Sequence, residues 1–163
     1  MGRPSMATTS AAVPAVPASS SSRRTLAADA VRLVVIPLAE HEAWAQYWLP
    51  FLPRIAQRSH ESITDLVGQI LRRDVRLMLV MDGDKAQALV GTTIHQMDGK
   101  SYGDMIWLAG FGREQWQQLL PEFEQLLRDA GCVMCRTICR PGWSRYLKRQ
   151  GYRLKHIIME KPL

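Results

Sequence analysis

The sequence predicts an α/β domain in which a mixed, twisted sheet is flanked by helices, in the order β-α-α-β-β-β-α-β-α-β. Three observations predict this class. Short β-branched and apolar runs are interspersed with stripes of helical period. Two Asp-Gly pairs divide the middle of the chain into three strand-like runs, as hairpin turns do. Glycines in the last third mark the changes between strands and helices.

Length and composition indicate one globular domain. The chain has 163 residues, of which 47% are hydrophobic and 22% charged, which is ordinary for a protein with a buried core. No apolar run approaches the ~20 residues that cross a bilayer, and the first residues lack the apolar segment of a secretion signal. We therefore expect a protein without membrane partners, located inside a cell.

The first 27 residues differ from the rest of the chain. They are rich in Ala, Ser, Thr and Pro and hold few large apolar side chains. Such a segment buries too little surface to offset its ordering entropy. We expect residues 1–27 to form a flexible arm that docks on other protein subunits, and residues 28–163 to form a single domain.

The first half of the domain predicts one strand and two helical regions. Val31 to Pro37 is β-branched and forms the first strand. A helical apolar stripe follows, and Pro50 and Pro53 divide it into short pieces. Ser62 begins the next helix, because Asp65 stands three residues later in a loose capping box.

A three-stranded meander follows. The predicted strands are Arg76–Met81, Lys85–Met97 and Ser101–Leu108, with turns at Asp82-Gly83 and Asp98-Gly99.

The last third alternates between helices and strands. Gly131 and Gly151 are suitable residues for ending a helix. The predicted elements are a helix at Arg113–Ala130, a strand at Cys132–Cys139, a helix at Trp143–Gln150 and a strand at Arg153–Glu160.

Positive charge is concentrated near the end of the chain. The net charge is +6, and residues 136–163 hold eight basic side chains but one acid. This region would attract phosphates, although a solvated helix face explains the same pattern. A basic region also allows binding of nucleic acid, whose affinity would fall steeply with salt.

A glycine turn precedes the predicted helix at residue 113. It comprises Gly110, Phe111, Gly112 and Arg113, and a helix start of this kind offers N–H groups to an anion. Together with the element order and the Gly151-Tyr152 pair, this turn resembles the acyl-CoA-binding half of the GNAT N-acetyltransferases, most closely the GNAT-like proteins of tailed bacteriophages. The resemblance implies a GNAT-like fold, acetyl-CoA as cofactor and these four turn residues as its binding site.

The same resemblance implies catalytic residues. Tyr146 is similar to the family's proton donor, although the family pattern places a tyrosine four residues before the glycine, where Leu147 stands here. One residue turns a helical side chain by roughly 100°. A general base must take the amine proton, and the candidates by position are Asp104 and, on the neighbouring strand, His95.

The three cysteines do not predict a metal site. Cys132 and Cys135 point to opposite faces of a strand, while Cys135 and Cys139 share a face but lie ~13 Å apart. The only further ligand considered is His156. We expect buried thiols and no metal.

Three hypotheses for the function stay open on the sequence. The first, from the resemblance to phage proteins, is a structural or protein-binding subunit of a phage particle, present in the cytoplasm of a bacterial host cell and incorporated in a virion. The second is an acetyl-CoA-dependent N-acyltransferase. The third is a basic protein associated with nucleic acid. The sequence alone does not decide whether the chain is an enzyme.

Overall fold

A computed structural model describes residues 31–156 and residue 161. The described residues form a five-stranded sheet in the order β1-β2-β3-β4-β5. Its strands are β1 Arg32–Val35, β2 Arg76–Asp82, β3 Lys85–Met97, β4 Lys100–Gly110 and β5 Cys132–Thr137.

Among the described residues, five α-helices lie between these strands and a sixth follows β5, with short 3-10 turns at Leu38–Glu40, Leu49–Phe51 and Gln117–Leu119. The helices are α1 Ala45–Trp48, α2 Leu52–Ser59, α3 Ile63–Leu71, α4 Arg113–Trp116, α5 Leu120–Asp129 and α6 Pro141–Arg149. Within the described residues, none of these helices has the length and hydropathy that a membrane span requires.

The sheet has an apolar layer on each face. Helices α1, α2 and α3 cover one face, where Trp48, Leu52 and Leu66 pack against Leu79 and Trp107 of the strands. Helices α4, α5 and α6 cover the other face. There the buried side chains form two clusters, which include Met105, Phe123, Leu127, Leu147, Val80 and Trp116. We call these the α1–α3 face and the α4–α6 face.

The pairing of β4 with β5 is the feature that positions the candidate site. Strands β1 to β4 pair antiparallel, whereas β4 and β5 are parallel. The parallel register runs from Ser101 with Cys132 to Met105 with Thr137. Beyond Met105, β4 continues to Gly110 and pairs only with β3. Strand β5 ends at Thr137, the partner of Met105, so from Ile106 onward β4 has no strand on that side and an opening is left beside it.

The structure confirms the predicted fold class and several local signals. Ser62 is the N-cap of α3, and its hydroxyl accepts a hydrogen bond from the N–H of Asp65 at 3.1 Å. Gly131 follows α5 with φ +80°, the left-handed conformation that ends many helices. Both Asp-Gly turns connect strands as expected.

Several predicted elements differ. The strand expected to reach Cys139 ends at Thr137, and the helix expected from Trp143 begins at Pro141. The strand expected to end at Leu108 continues to Gly110. The single helix expected at Arg113–Ala130 is two helices, because Pro121 has no N–H and lies at the start of α5, where none is needed. Of the expected last strand, Arg153 to His156 have no regular secondary structure, and 157–160 lie outside the described residues, as does the predicted arm.

Candidate active site

A cavity of about 1020 Å³ fills the opening between β4 and β5. Ile106, Trp107 and Leu108 line it from β4, and Thr137 lies opposite at the end of β5. Further lining residues come from both faces of the sheet: Ile55, Arg58 and Ser59 from α2, and Trp116, Leu120, Phe123, Trp143 and Leu147 from α4, α5 and α6. The cavity therefore connects the two faces through the sheet.

The backbone of β4 forms one wall of this cavity. From Ile106 to Gly110 the strand has no β5 partner. The N–H and C=O groups that would have bonded β5 face the opening instead. An extended ligand with amide groups can pair with such a strand edge.

The turn after β4 is fixed by β3 and α2. The N–H of Phe111 donates to the carbonyl of Gln87 at 2.9 Å, and the Gly110 carbonyl accepts from Arg54 Nη1 at 2.7 Å. A Cβ on Gly110 would lie 2.4 Å from that of Ala88. The packing of β3 thus explains the glycine at 110 and uses the Phe111 amide.

Gly112 and Arg113 are the turn residues nearest the helix start. Gly112 is the N-cap of α4 with φ +58°, a left-handed conformation that favours glycine. The Arg113 side chain lines the cavity. Its Nη2 is 3.6 Å from a carboxylate oxygen of Glu114, and its Cζ lies 5.5 Å from the centre of the Trp143 ring. Its Nε is buried and has no hydrogen-bond partner among the described residues.

Two further arginines line the same cavity. Arg58 belongs to α2, and Arg140 is the N-cap of α6. Burial lowers the pKa of Arg58, and the charges of Arg140 and Arg54 lower it further. The described residues provide no carboxylate within ion-pairing distance of Arg58 or Arg140. With Arg113, three guanidinium groups give the cavity a positive field.

The two candidate bases lie together beside the cavity. Asp104 Oδ2 is 3.4 Å from His95 Nδ1. Arg136 on β5 donates to both oxygens of Asp104, at 2.7 and 2.8 Å. The hydrogen bond to Asp104 is the main reason that the pKa of Arg136 is raised. Arg136 Nη2 is also 2.7 Å from His95 Nε2.

This network assigns the histidine proton. A guanidinium only donates hydrogen bonds, so His95 Nε2 accepts from Arg136, and the ring proton belongs on Nδ1, which faces Asp104. Asp104 pairs with Arg136 in the β4–β5 register, one position before the strands part. None of the three side chains lines the cavity. Arg136 therefore has to shift, or a water has to relay the proton, before either base can act.

The network lies on the α1–α3 face. A Cβ on Gly103 would meet Leu127 of α5, so Gly103 faces α5 and its neighbour Asp104 points to the opposite side. The sequence identified Asp104 and His95 as separate candidates, and the register of β3 with β4 brings them together.

Tyr146 lies near the cavity but not in its lining. Its hydroxyl donates to the carbonyl of Gln117 at 2.6 Å, and burial raises its pKa, with a further contribution from Glu124. Leu147, at the position of the family tyrosine, lines the cavity and is buried. The one-residue offset thus places a leucine where the pattern has a phenol.

The cysteines are free thiols, and the expectation that they are buried is correct for Cys132 alone. Cys132 is buried, Cys135 is half-buried and Cys139 is exposed. Burial raises the pKa of all three, and Cys135 accepts a hydrogen bond from the Tyr152 hydroxyl at 3.2 Å. In residues 31–156 no group of three metal-ligating side chains converges.

Comparison with known proteins shows the fold. No family model matches this sequence, and no curated protein matches it. Solved structures do match. An acetyltransferase from Trypanosoma brucei has a TM-score of 0.58 at 12% identity, over 82% of this chain and 99% of that one.

Two other neighbours are named for their substrates. An aminoglycoside acetyltransferase from a soil metagenome, in complex with sisomicin, has a TM-score of 0.60 at 8% identity, over 82% of this chain and 96% of that one. A glucosamine-6-phosphate N-acetyltransferase from Arabidopsis thaliana has a TM-score of 0.56 at 14% identity, over 82% and 99%. The chain has a GNAT-like fold, and none of these three names refers to a phage or a virion.

Proposed function

We propose that this chain is an acyl-CoA-dependent N-acyltransferase. The observation that carries the proposal is the opening between β4 and β5, where an unpaired strand edge and three arginines line one cavity. Arg113 is half-buried, whereas Arg58 and Arg140 are exposed, so hydrated guanidinium groups stand at the cavity and can exchange water for a ligand's oxygens. An anionic ligand with amide groups would satisfy both features.

Acetyl-CoA fits these features chemically. Its pantetheine arm carries amides suited to the free edge of β4, and its phosphates suit Arg113, whose buried Nε has no partner in the described part of the chain. In the first turn of α4 the N–H of Gln115 donates to the Gly112 carbonyl at 2.9 Å, and the two N–H groups before it precede any intrahelical acceptor. When bound, acetyl-CoA would supply an acyl carbon activated toward an amine.

Acyl transfer makes one bond and breaks another. The amine nitrogen bonds to the acyl carbon while the carbon–sulfur bond breaks, one proton leaves the nitrogen, and one reaches the sulfur. We assign the first proton to the Asp104–His95 pair, directly or through water. A thiol has a pKa near 8.5, so a thiolate leaves without obligatory protonation. The assignment of Tyr146 as donor to the sulfur stays a prediction from the resemblance, and the proposed reaction does not require it, since Tyr146 does not line the cavity.

The hypotheses of a phage subunit and of a nucleic-acid-associated protein stay predictions. Among the described residues we find no observation that favours either of them over acyl transfer. The structural neighbours named as acetyltransferases support the acyltransferase hypothesis instead.

Calorimetry and thermal unfolding with CoA test the proposed function. Ligand at 100 times its Kd should stabilise the protein by about 2.7 kcal/mol. Arg113→Ala should weaken CoA binding roughly tenfold or more, since charge-assisted hydrogen bonds contribute about 1.5–3 kcal/mol. Arg145→Ala, an exposed arginine on α6 outside the cavity lining, is the matched control. If millimolar CoA does not change the unfolding temperature, the acyltransferase function is excluded.

A further inference from the structure

We infer that the acceptor is an amine that also carries an anionic group, a carboxylate or a phosphate, and that Arg58 and Arg140 bind this group. The inference rests on the proposed function and adds the chemical class of the acceptor. It starts from the observation that Arg58 and Arg113 line the cavity from opposite faces of the sheet, while Arg140 lines it from the N-cap of α6.

Arg58 lies on the same face as the candidate bases. It belongs to α2, which packs on the α1–α3 face through Leu52 and Ile55. Asp104 points to that face as well, as the opposite orientation of Gly103 shows. Because the amine must reach a base, the acceptor approaches the cavity from this face.

Arg113 belongs to the other side. It contacts Trp143, which packs with Trp116 against Val80 and Ala88 on the α4–α6 face. We therefore assign Arg113 to binding of the phosphates at the nucleotide end of acetyl-CoA. Arg58 remains on the face by which the amine enters.

Arg58 and Arg140 are two exposed side chains of like charge, and among the described residues neither has a carboxylate within ion-pairing distance. Each lines the cavity, and each lies close enough to the other for repulsion to be felt. Asp104 does not neutralise them, because Arg136 occupies both of its oxygens. Two guanidinium groups that converge on one cavity bind carboxylate or phosphate oxygens well. The same pair repels a purely cationic acceptor.

Matched pairs of amines test this inference. Release of CoA thiol is measured with acetyl-CoA and glycine against glycinamide, glutamate against glutamine, and glucosamine-6-phosphate against glucosamine. We expect the anionic member of at least one pair to be preferred roughly tenfold or more in kcat/KM. The glycine and glutamate pairs test a carboxylate, and the glucosamine-6-phosphate pair tests a phosphate, so the preferred pair identifies the anion that the enzyme recognises.

Substitutions then locate the anion site. In Arg58→Gln and Arg140→Gln the preference for the anionic member should fall at least fivefold, through a higher KM for that member. Arg145→Gln, the exposed control, should keep the wild-type preference. Calorimetry with CoA on the same variants should give an unchanged Kd.

The outcomes separate this inference from the proposed function. A protein that binds CoA but acylates neutral members equally well, or acylates no anionic amine, contradicts the inference and leaves the enzyme hypothesis intact. If Arg58→Gln and Arg140→Gln weaken CoA binding and not acceptor use, the pair belongs to the cofactor and the inference is wrong. A protein that does not bind CoA contradicts both.

Discussion

Replacement of Gly110 by alanine distinguishes two reasons for the glycine that ends β4. The resemblance to GNAT enzymes implies that Gly110 belongs to the acetyl-CoA site. The structure instead places β3 against it. An added Cβ would lie 2.4 Å from the Ala88 Cβ and 2.7 Å from the Gln87 carbonyl oxygen. Ordinary contacts begin near 3.4 Å, so the strands must separate by about 1 Å.

The cost of this separation is large because neither neighbour can yield. Ala88 is fully buried against Val80 and Trp116, and the Gln87 carbonyl already accepts from Phe111. Overpacking of a well-filled core costs about 1–3 kcal/mol, and we expect Gly110→Ala to lower the free energy of unfolding by roughly 2–3 kcal/mol. For a chain of this size that is a fall in Tm of about 4–12 °C.

Urea unfolding followed by tryptophan fluorescence measures this change. Gly68→Ala on α3 is the control, because the nearest atom to its added Cβ is the flexible end of Arg72; it should stabilise by about 0.5–1 kcal/mol through helix propensity. The affinity of folded Gly110→Ala for CoA should stay within about twofold of wild type. A variant of wild-type stability that has lost CoA binding would show that the glycine makes room for the ligand.

Three further substitutions or titrations examine the candidate site. Asp104→Asn should lower kcat/KM by about 100-fold or more, because the general base is lost. Urea unfolding should show a loss of less than about 1 kcal/mol in the free energy of unfolding. Activity equal to that of the wild type would show that Asp104 is not the base. Tyr146→Phe should lower the free energy of unfolding by about 1 kcal/mol, because the hydrogen bond to the Gln117 carbonyl is lost. The kcat should change less than about threefold. A 100-fold fall in kcat, measured by stopped flow, would establish Tyr146 as the proton donor. The raised pKa of Cys135 means that the folded state holds its thiol proton more tightly than the unfolded state, so stability is full below about pH 9 and declines as pH rises through the raised pKa. Between pH 8 and 10.5 the free energy of unfolding should fall less steeply with pH in Cys135→Ser than in the wild type. Identical slopes for the two proteins would contradict this prediction.

Local signals in the sequence determined most of the elements. Ser62 with Asp65 fixes a helix start, Gly131 fixes a helix end, and the Asp-Gly turns fix the meander, because each depends on the conformation of a few neighbouring residues. The order of these elements was sufficient to predict the fold class. The offset of Tyr146 was also visible, since spacing along one helix decides which residue faces the cavity.

The ends of strands depend on neighbouring strands and not on local sequence alone. Gly110 extends a strand that we expected to stop at Leu108, because β3 continues beside it and supplies the pairing partner. Arg153 to His156 were expected to begin the last strand, and yet they form no ladder. A strand forms only where a neighbouring strand lies close enough to accept and donate its backbone hydrogen bonds.

The sequence by itself determined the class of fold, the turn at Gly110 to Arg113 and the candidate bases Asp104 and His95. Only the tertiary structure decided that β4 and β5 part after Met105, that Arg58 and Arg140 meet in one cavity, and that Arg136 holds both bases. The reason is physical. Backbone conformation and periodicity depend on residues a few positions apart, while the convergence of charges depends on how whole helices and strands pack, which no short stretch of sequence encodes.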